Sequence, residues 1–383
     1  MLPRTLFSDE HDAFRASVQS FITKEIAPYH AQWEKDGVVS RDVWAKAGEM
    51  GLLCCSVPAE YGGPDAGFLY SVVVMEELAR AGFTGPFFHL HSEIVAPYIL
   101  HYATEDAKQK WLPRMVDGSA IGAIAMSEPE AGSDLQSIRT SAREDGDDFI
   151  LDGQKVFISN GQLADVIIVA AQTKPGSGAE GITLFLVDAT TSGFERGRPL
   201  EKIGLKAQDT SELFFNGVRV PRSHVLGNPG DGFAQLMTEL AQERLMQGIR
   251  AVAAAEAVLA WTIEYTTQRQ AFGRPVSEFQ NTRFKLAEVA TSNAVLRNFV
   301  DRCIELHLES RLDAIDAAMC KLAATDALVE NVDKCLQLFG GWGYMLEYPI
   351  ARAYIDARQA KLAGGSTEIM KHLISRSLLA VSR

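Results

Sequence analysis

Residues 125–134 read AMSEPEAGSD and stand at the head of a stretch of the chain that favours short β-strands. The small residues and hydroxyls of this segment can present backbone N–H groups and serine oxygens to a polar ligand. The alternative is a surface turn that caps a strand, because Ser, Asp, Gly and Pro also favour turns. The pattern alone leaves both interpretations open.

The hydrophobic spacing differs on the two sides of this segment. Residues 1–120 carry apolar side chains at helical intervals, whereas residues 121–228 contain short runs rich in β-branched residues, such as Val166–Ala171 and Ile182–Val187. Residues 229–383 return to the helical period. The pattern therefore predicts an α+β fold with an N-terminal helical domain, a central β-domain of short strands and a C-terminal helical bundle, divided at these positions.

Individual elements follow from the same spacing. We expect an N-terminal helix that Pro28 ends or bends, a second apolar helix over Tyr70–Leu78 and a long helix from Gly232. Asp152-Gly153 and Asn216-Gly217 each stand between two apolar runs, which predicts two tight β-hairpins. The helices predicted after the long one cover residues 278–307, 313–339, 346–361 and 366–380.

The composition disfavours several classes of protein. A net charge of −12 over 383 residues disfavours a nucleic-acid partner and an anionic membrane surface, because both attract clustered positive charge. No apolar run reaches the length of a membrane span, and the first residues lack a secretory pattern. The five cysteines are odd in number and contain no C-x-x-C pair, and the histidines lack ligand spacing. We therefore expect no metal site and a reduced, cytoplasmic location.

Three further segments contain residues that could carry chemistry. Lys155–Gly161 places an aromatic beside a hydroxyl at a strand end, which suits a planar cofactor but also a half-buried core position. Gln242-Glu243-Arg244 puts two charges on a long apolar helix. In a water-poor cleft Glu243 would have a raised pKa and could act as a general base, whereas the commoner alternative is a solvated helix face. Residues 362–368, LAGGSTE, allow close backbone approach to a ligand or simply cap the last helix.

Taken together, these segments resemble the acyl-CoA dehydrogenase family over nearly the whole chain. The family signatures are AMSEPxAGSD at 125–134, RxAFG at 269–273 and QLFGG at 337–341. The C-terminal half is similar to the long-chain type of that family through QERL at 242–245, GGWGYM at 340–345, EYPIA at 347–351 and GGxxEIMK at 364–371. The resemblance implies the same order of helical, β and helical domains, usually in a homotetramer.

The resemblance also implies FAD as the cofactor. Phe157 stands where many relatives carry Trp, and it still offers an apolar face to the flavin ring. Arg269 would reach the pyrophosphate of FAD in a neighbouring subunit. The residues that the resemblance places at the cofactor are Met126, Ser127, Ser133, Phe157, Ile158, Ser159, Arg269, Phe272, Gln280, Gln337, Gly340, Gly341, Ser366 and Glu368.

Two locations for the catalytic base occur in this family. Most members carry a glutamate before the Gly-Thr motif that precedes the last helix, and that position here is Gly364. A minority, including the long-chain and isovaleryl types, carry it immediately before the substrate-site arginine, which is Glu243 before Arg244 here. We therefore predict Glu243 as the base. Arg244, Gly364, Gly365 and Ser133 are predicted to bind substrate, with the Gly364 N–H polarising the thioester carbonyl.

The implied reaction is α,β-dehydrogenation of a saturated acyl-CoA to a trans-2-enoyl-CoA in fatty-acid β-oxidation. Glu243 would remove the α-proton, flavin N5 would accept the β-hydride, and an electron-transfer flavoprotein would accept the electrons. The alternatives are a branched short-chain, isovaleryl-type dehydrogenase and a flavin-dependent oxidase or monooxygenase of the same fold. A subunit of a hetero-oligomeric dehydrogenase and a DNA-associated binding module are further alternatives, and the net charge of −12 disfavours the last.

Overall fold

The computed structural model describes residues 3–380. Its α-helices are α1 (Asp9–Phe21), α2 (Ala27–Asp36), α3 (Arg41–Glu49), α4 (Phe68–Ala81), α5 (Phe88–Leu90), α6 (Ala96–Tyr102), α7 (Glu105–Val116), α8 (Gly232–Gln268), α9 (Gln280–Leu308), α10 (Ala314–Phe339), α11 (Pro349–Ala360) and α12 (Thr367–Ala380). Its strands are β1 (Gly122–Ala125), β2 (Ser141–Asp145), β3 (Asp148–Ser159), β4 (Val166–Gln172), β5 (Ile182–Asp188), β6 (Phe194–Pro199), β7 (Thr210–Pro221), β8 (Gln270–Ala271) and β9 (Arg274–Pro275). The predicted α+β order of helices, strands and helices is confirmed.

The central sheet has the strand order β1-β4-β2-β3-β7-β6, with β5 paired to β4. Strand β4 is buried along its whole length, as its uninterrupted run of Val, Ile and Ala predicts. The aromatic rings of Phe149, Phe185 and Phe215 pack in a core of the sheet. Strand β1 ends at Ala125, so the AMSEPEAGSD segment begins at the edge of this sheet and its position is set by β1.

The two predicted hairpins are wrong. Asp152-Gly153 lies inside the continuous strand β3, and Asn216-Gly217 lies inside β7. The two dipeptides face each other across the β3–β7 pair, where the register shifts and Asp152 Oδ1 accepts a hydrogen bond from the Gly217 N–H at 2.8 Å. A β-bulge, like a tight turn, needs a backbone conformation that glycine adopts easily. Here the bulge bends the two paired strands without ending either of them.

The helix predictions are closer to the structure. A π-turn over Ile22–Ile26 interrupts the first helix, and Pro28 lies in the first turn of α2. The four predicted helices of the C-terminal part match α9 to α12 within three residues at each end. Such agreement is expected where apolar spacing is regular and helix ends carry clear stop signals.

Helix α8 is the longest element and joins the parts of the molecule. It runs for 37 residues and packs against α4, α9, α10 and α11. The predicted apolar line along it, Leu245, Ile249 and Val252, is fully buried. Glu256, at the end of that line, accepts two hydrogen bonds from Arg297 on α9 at 2.8 Å. The residues of α8 therefore hold fixed positions relative to the surrounding helices.

A buried ion network ties the first residues to this bundle. The Glu76 carboxylate on α4 is fully buried and lies between 2.7 and 3.4 Å from guanidinium nitrogens of Arg4, Arg15, Arg80 and Arg297. Against the effect of burial, Arg297, Arg4 and Arg80 hold the pKa of Glu76 at about 2. A carboxylate this well paired links three helices and the N-terminal segment.

No helix in the described part of the chain combines the length and apolar character needed to cross a bilayer. Within residues 3–380, no three His, Cys, Asp or Glu side chains converge as metal ligands do. All five cysteines are free and buried.

Candidate active site

Glu243 lies on the inner face of α8, with 5% of its surface exposed. The interpretation of this segment as a solvated helix face is therefore wrong. Burial raises the pKa of Glu243 to about 7, while a hydrogen bond from Tyr98 Oη to Glu243 Oε1 at 3.3 Å opposes the rise. A carboxylate that titrates near neutral pH, in a site largely closed to water, is suited to remove a proton from carbon.

A second carboxylate lies one helical turn before Glu243. Glu239 Oε1 accepts a hydrogen bond from Tyr102 Oη at 2.9 Å and lies 2.9 Å from His101 Nδ1. Its negative charge adds to the raised pKa of Glu243. Sequence reasoning missed both Tyr98 and Glu239, although acidic residues four apart on one helix are a detectable signal.

Arg244 contributes a buried donor that has no partner. Its side chain is buried, and its Nε atom meets no hydrogen-bond acceptor among the described residues. Burial lowers the pKa of this guanidinium. An unsatisfied buried cationic donor is costly, so it marks a place where a ligand oxygen can bind.

The glycine pair before α12 faces the same stretch of α8. Gly364 and Gly365 have φ of +66° and +92°, a left-handed backbone that glycine accepts without strain. A Cβ at Gly364 would lie 3.6 Å from Gln247 Cγ, one turn beyond Glu243. The Gly365 carbonyl accepts a hydrogen bond from the buried Lys321 Nζ. Burial, and then the charge of Arg244, lower the pKa of Lys321 to about 8, so the arginine lies close to this loop.

The residues predicted to face the flavin ring surround the ends of β1 and β3. Met126 and Ser127 follow β1 and are half-buried, and the Met126 carbonyl accepts a hydrogen bond from Lys155 Nζ at 3.0 Å. Phe157 is 68% exposed and has φ of +61°, so its interpretation as a core residue is wrong. An exposed aromatic held in a left-handed backbone at a strand end is a ligand-contact candidate. Ile158 beside it is buried.

The remaining cofactor candidates fall in two places. Ser366 caps α12, since its carbonyl accepts the Met370 N–H at 3.0 Å, and Glu368 is exposed in the first turn of that helix. The others lie near the far end of α8, where an open cleft is lined by Arg269, Gln337, Gly340 and Gly341. Phe272 and Gln280 are exposed beyond that end of α8.

The far cleft is distant from Glu243. Twenty-six residues separate Glu243 from Arg269, and at 1.5 Å per residue this corresponds to about 39 Å along the helix. One chain therefore does not bring all predicted cofactor residues around one point. This separation is what the resemblance implies, since there Arg269 serves the neighbouring subunit.

Three family models match consecutive parts of the chain, namely the acyl-CoA dehydrogenase N-terminal domain over residues 8–119, the middle domain over 123–218 and the C-terminal domain over 230–379. The mitochondrial long-chain specific acyl-CoA dehydrogenase of Sus scrofa is 50% identical, over 98% of this chain and 88% of that protein. Isovaleryl-CoA dehydrogenase of Solanum tuberosum is 34% identical, over 97% and 91%. A crystal structure of acyl-CoA dehydrogenase from Geobacillus kaustophilus has a TM-score of 0.96 and 48% identity, over 98% and 100%.

Proposed function

The chain belongs to the acyl-CoA dehydrogenase family, a family of flavoprotein oxidoreductases, and from this premise we propose its reaction. The proposed reaction is FAD-dependent conversion of a straight-chain saturated acyl-CoA to the trans-2-enoyl-CoA, as a step of fatty-acid β-oxidation. The observation that carries the proposal is the buried Glu243 carboxylate, whose pKa is about 7, one helical turn before the Gln247 side chain that the glycine loop faces.

Glu243 acts as the base in this proposal. The C–H bond next to a thioester is weakly acidic, so the carboxylate must be unhydrated and poised to accept a proton. Gly364, at the family's other base position, has no side chain that could take this role. Its N–H is available to the thioester carbonyl, and the unpaired Arg244 Nε is available to another oxygen of the substrate.

The described residues fit FAD on two observations. The exposed Phe157 ring and the half-buried Met126 and Ser127 offer an apolar face and polar backbone groups at one end of the sheet. The cleft of Arg269, Gln337 and the two glycines offers a cation and close backbone approach, which suit a pyrophosphate. FAD, when bound, supplies the hydride acceptor, while the chain binds, orients and excludes water.

A cleft beside α8 supports a straight acyl chain. It is lined by Gln247, Ala251 and Ala254 of α8 and by Ala357 and Ala360 of α11. Gln247 is one turn from Glu243, so the cleft continues away from the proposed site of proton removal. This room, with the higher identity to the long-chain relative, favours straight chains over the isovaleryl alternative, and Glu243 itself disfavours the oxidase alternative.

We propose a homotetramer that passes electrons to an electron-transfer flavoprotein. Phe272, three residues after Arg269, is 96% exposed, and Trp342, which lines the far cleft, and Tyr344, two residues later, are exposed as well. Exposed aromatics concentrated at one place indicate an interface. A neighbouring subunit there would bring its own flavin to Arg269, and the separation of about 39 Å from Glu243 supports this arrangement.

The test is anaerobic reduction of bound flavin by palmitoyl-CoA and isovaleryl-CoA in the wild type and in Glu243→Gln. We expect palmitoyl-CoA to reduce the flavin of the wild type. The variant should still bind the thioester, but its flavin should be reduced about 10²–10⁴-fold more slowly, because the base has been lost. Glu264→Gln, the same change at an exposed position of α8, is the matched control. Equal rates in wild type and Glu243→Gln would exclude Glu243 as the base. Faster reduction by isovaleryl-CoA would overturn the straight-chain assignment.

A further inference from the structure

Arg250 lies two turns beyond Glu243 on the same face of α8. Seven residues rotate the helix by about 700°, which is about 20° short of two full turns, and advance it by about 10 Å. Gln247 lies between the two positions. Helical side chains lean towards the N-terminus of their helix, so the Arg250 side chain leans towards Gln247 and Glu243. Arg250 and Gln247 both line the cleft assigned above to the acyl chain.

The guanidinium of Arg250 has no anionic partner within the described part of the chain. Its contacts are the Phe87 ring, 5.1 Å from the guanidinium carbon, and Gln247 Oε1 at 3.5 Å from Nη1. Burial lowers the pKa of Arg250 to about 10, with no opposing carboxylate, so it stays charged at neutral pH. Arg250 is half-buried, and a partly desolvated cation without an anion is less stable than a paired one.

The other charges near this cleft are paired. Arg352, which also lines it, lies 3.6 Å from Glu34 Oε2. Asp356 accepts hydrogen bonds from the Leu205 N–H at 2.6 Å and from Thr84 Oγ1 at 3.2 Å. No carboxylate among the described residues of this wall forms an ion pair with Arg250, so an anion bound there would be supplied by a ligand.

His89 is a further polar side chain close enough to Arg250 for its pKa to be affected by the arginine. Burial, and then the charge of Arg250, hold the pKa of His89 well below its ordinary value. The imidazole is therefore neutral and can donate one hydrogen bond. A charged fork in a cleft lined largely by apolar side chains suits a carboxylate more than it suits a methyl group.

We propose that Arg250 binds the distal carboxylate of the acyl group, so that the site accepts CoA monothioesters of straight-chain dicarboxylic acids as well as plain acyl-CoA. This inference rests on the proposed function. The advance of about 10 Å from Glu243 to Arg250 favours chains of intermediate length, with the thioester at Glu243 and the second carboxylate at the guanidinium. A longer acyl chain without a distal carboxylate can lie along the apolar stem of the arginine.

The test compares decanoyl-CoA with sebacyl-CoA, which has the same chain length and a distal carboxylate. The measurement is the ratio of kcat/KM for sebacyl-CoA to kcat/KM for decanoyl-CoA, from anaerobic flavin reduction. In Arg250→Met we expect this ratio to fall about 10- to 100-fold, since a charge-assisted hydrogen-bonded contact is lost. Arg250→Lys, which keeps the charge but not the fork, should give an intermediate ratio. Arg352→Met removes a paired cation from the same cleft and should leave the ratio unchanged.

The outcomes separate the inference from the proposed function. If wild type is reduced by decanoyl-CoA but not by sebacyl-CoA, the inference fails and the dehydrogenase proposal stands. If neither thioester reduces the flavin, the proposed function fails. A ratio that falls equally in Arg250→Met and Arg352→Met would also overturn the inference, because the effect would then reflect general repacking. Flavin content and thermal unfolding of each variant show whether it is folded. If Arg250→Met does not fold, the ratio measured in Arg250→Lys decides the test.

Discussion

Replacing Tyr98 by phenylalanine would change the pKa of the proposed base without removing the base. The Tyr98 hydroxyl donates to Glu243 Oε1 at 3.3 Å, and its ring is fully buried among the N-terminal helices. Phenylalanine keeps the ring and removes only the hydroxyl. Because the hydrogen bond stabilises the ionised carboxylate, its loss raises the pKa of Glu243.

The size of this change follows from the geometry. A hydrogen bond to an ionised group contributes about 1.5–3 kcal/mol, and a separation of 3.3 Å places this one at the weaker end. About 1.5 kcal/mol corresponds to roughly one pKa unit, which would move the Glu243 pKa from about 7 to about 8. At pH 7 the ionised fraction would fall from about one-half to about one-tenth, a loss of about fivefold in kcat/KM, whereas at pH 9 the loss would nearly vanish.

The assay is the pH dependence of kcat/KM for anaerobic flavin reduction, which reports ionisations of the free enzyme. We expect the acid limb of Tyr98→Phe to shift upwards by about one pH unit. Tyr61→Phe, which removes a tyrosine–glutamate hydrogen bond of 3.0 Å to Glu105 elsewhere in the fold, should leave the limb in place. A Tyr98→Phe loss of equal size at every pH, or an unshifted limb, would refute this account of how the pKa of Glu243 is set.

Two further predictions concern buried charges that support the site. Lys155→Met should lower the free energy of unfolding, measured in urea, by about 3 kcal/mol. The reason is that the buried Glu128 carboxylate, 2.8 Å from Lys155 Nζ in the wild type, loses its cation. A loss below about 1 kcal/mol would contradict the assigned role of this pair. Glu76→Gln should lower the free energy of unfolding by about 3 kcal/mol at pH 7, since the folded pKa of Glu76, about 2, lies below its usual value of 4.5. A carboxyl group whose pKa is lower in the folded protein stabilises the fold above its usual pKa, and this stabilisation is lost as the pH falls towards 2. The difference in the free energy of unfolding between wild type and Glu76→Gln should therefore narrow at pH 3. A difference that stays constant with pH would contradict this linkage.

The sequence by itself determined the order of the elements and selected Glu243 as the proposed base. Regular apolar spacing located α8 and the four later helices, because burial of one helix face leaves a period in the chain. The family motifs were enough to show that one base position, Gly364, has no side chain and that the other, Glu243, carries a carboxylate. The strand content of the β-domain was also readable, since β-branched runs are local signals.

The connection between strands was decided by tertiary structure. Asp152-Gly153 and Asn216-Gly217 have the local chemistry of hairpin turns, and either dipeptide alone could form one. In the folded sheet each lies opposite the other in a long strand pair, joined by the Gly217–Asp152 hydrogen bond. A pairing partner more than sixty residues away therefore selected the bulge over the turn.

The electrostatics of the site were also decided by tertiary structure. Tyr98 is 145 residues from Glu243, so no local pattern could indicate the hydrogen bond between them. Among the described residues, Arg250 has no anionic partner, and this depends likewise on where Glu34 and Asp356 make their own contacts. Local spacing specifies which face of a helix is buried, but the pKa and partners of a buried charge depend on every chain segment that folding brings around it.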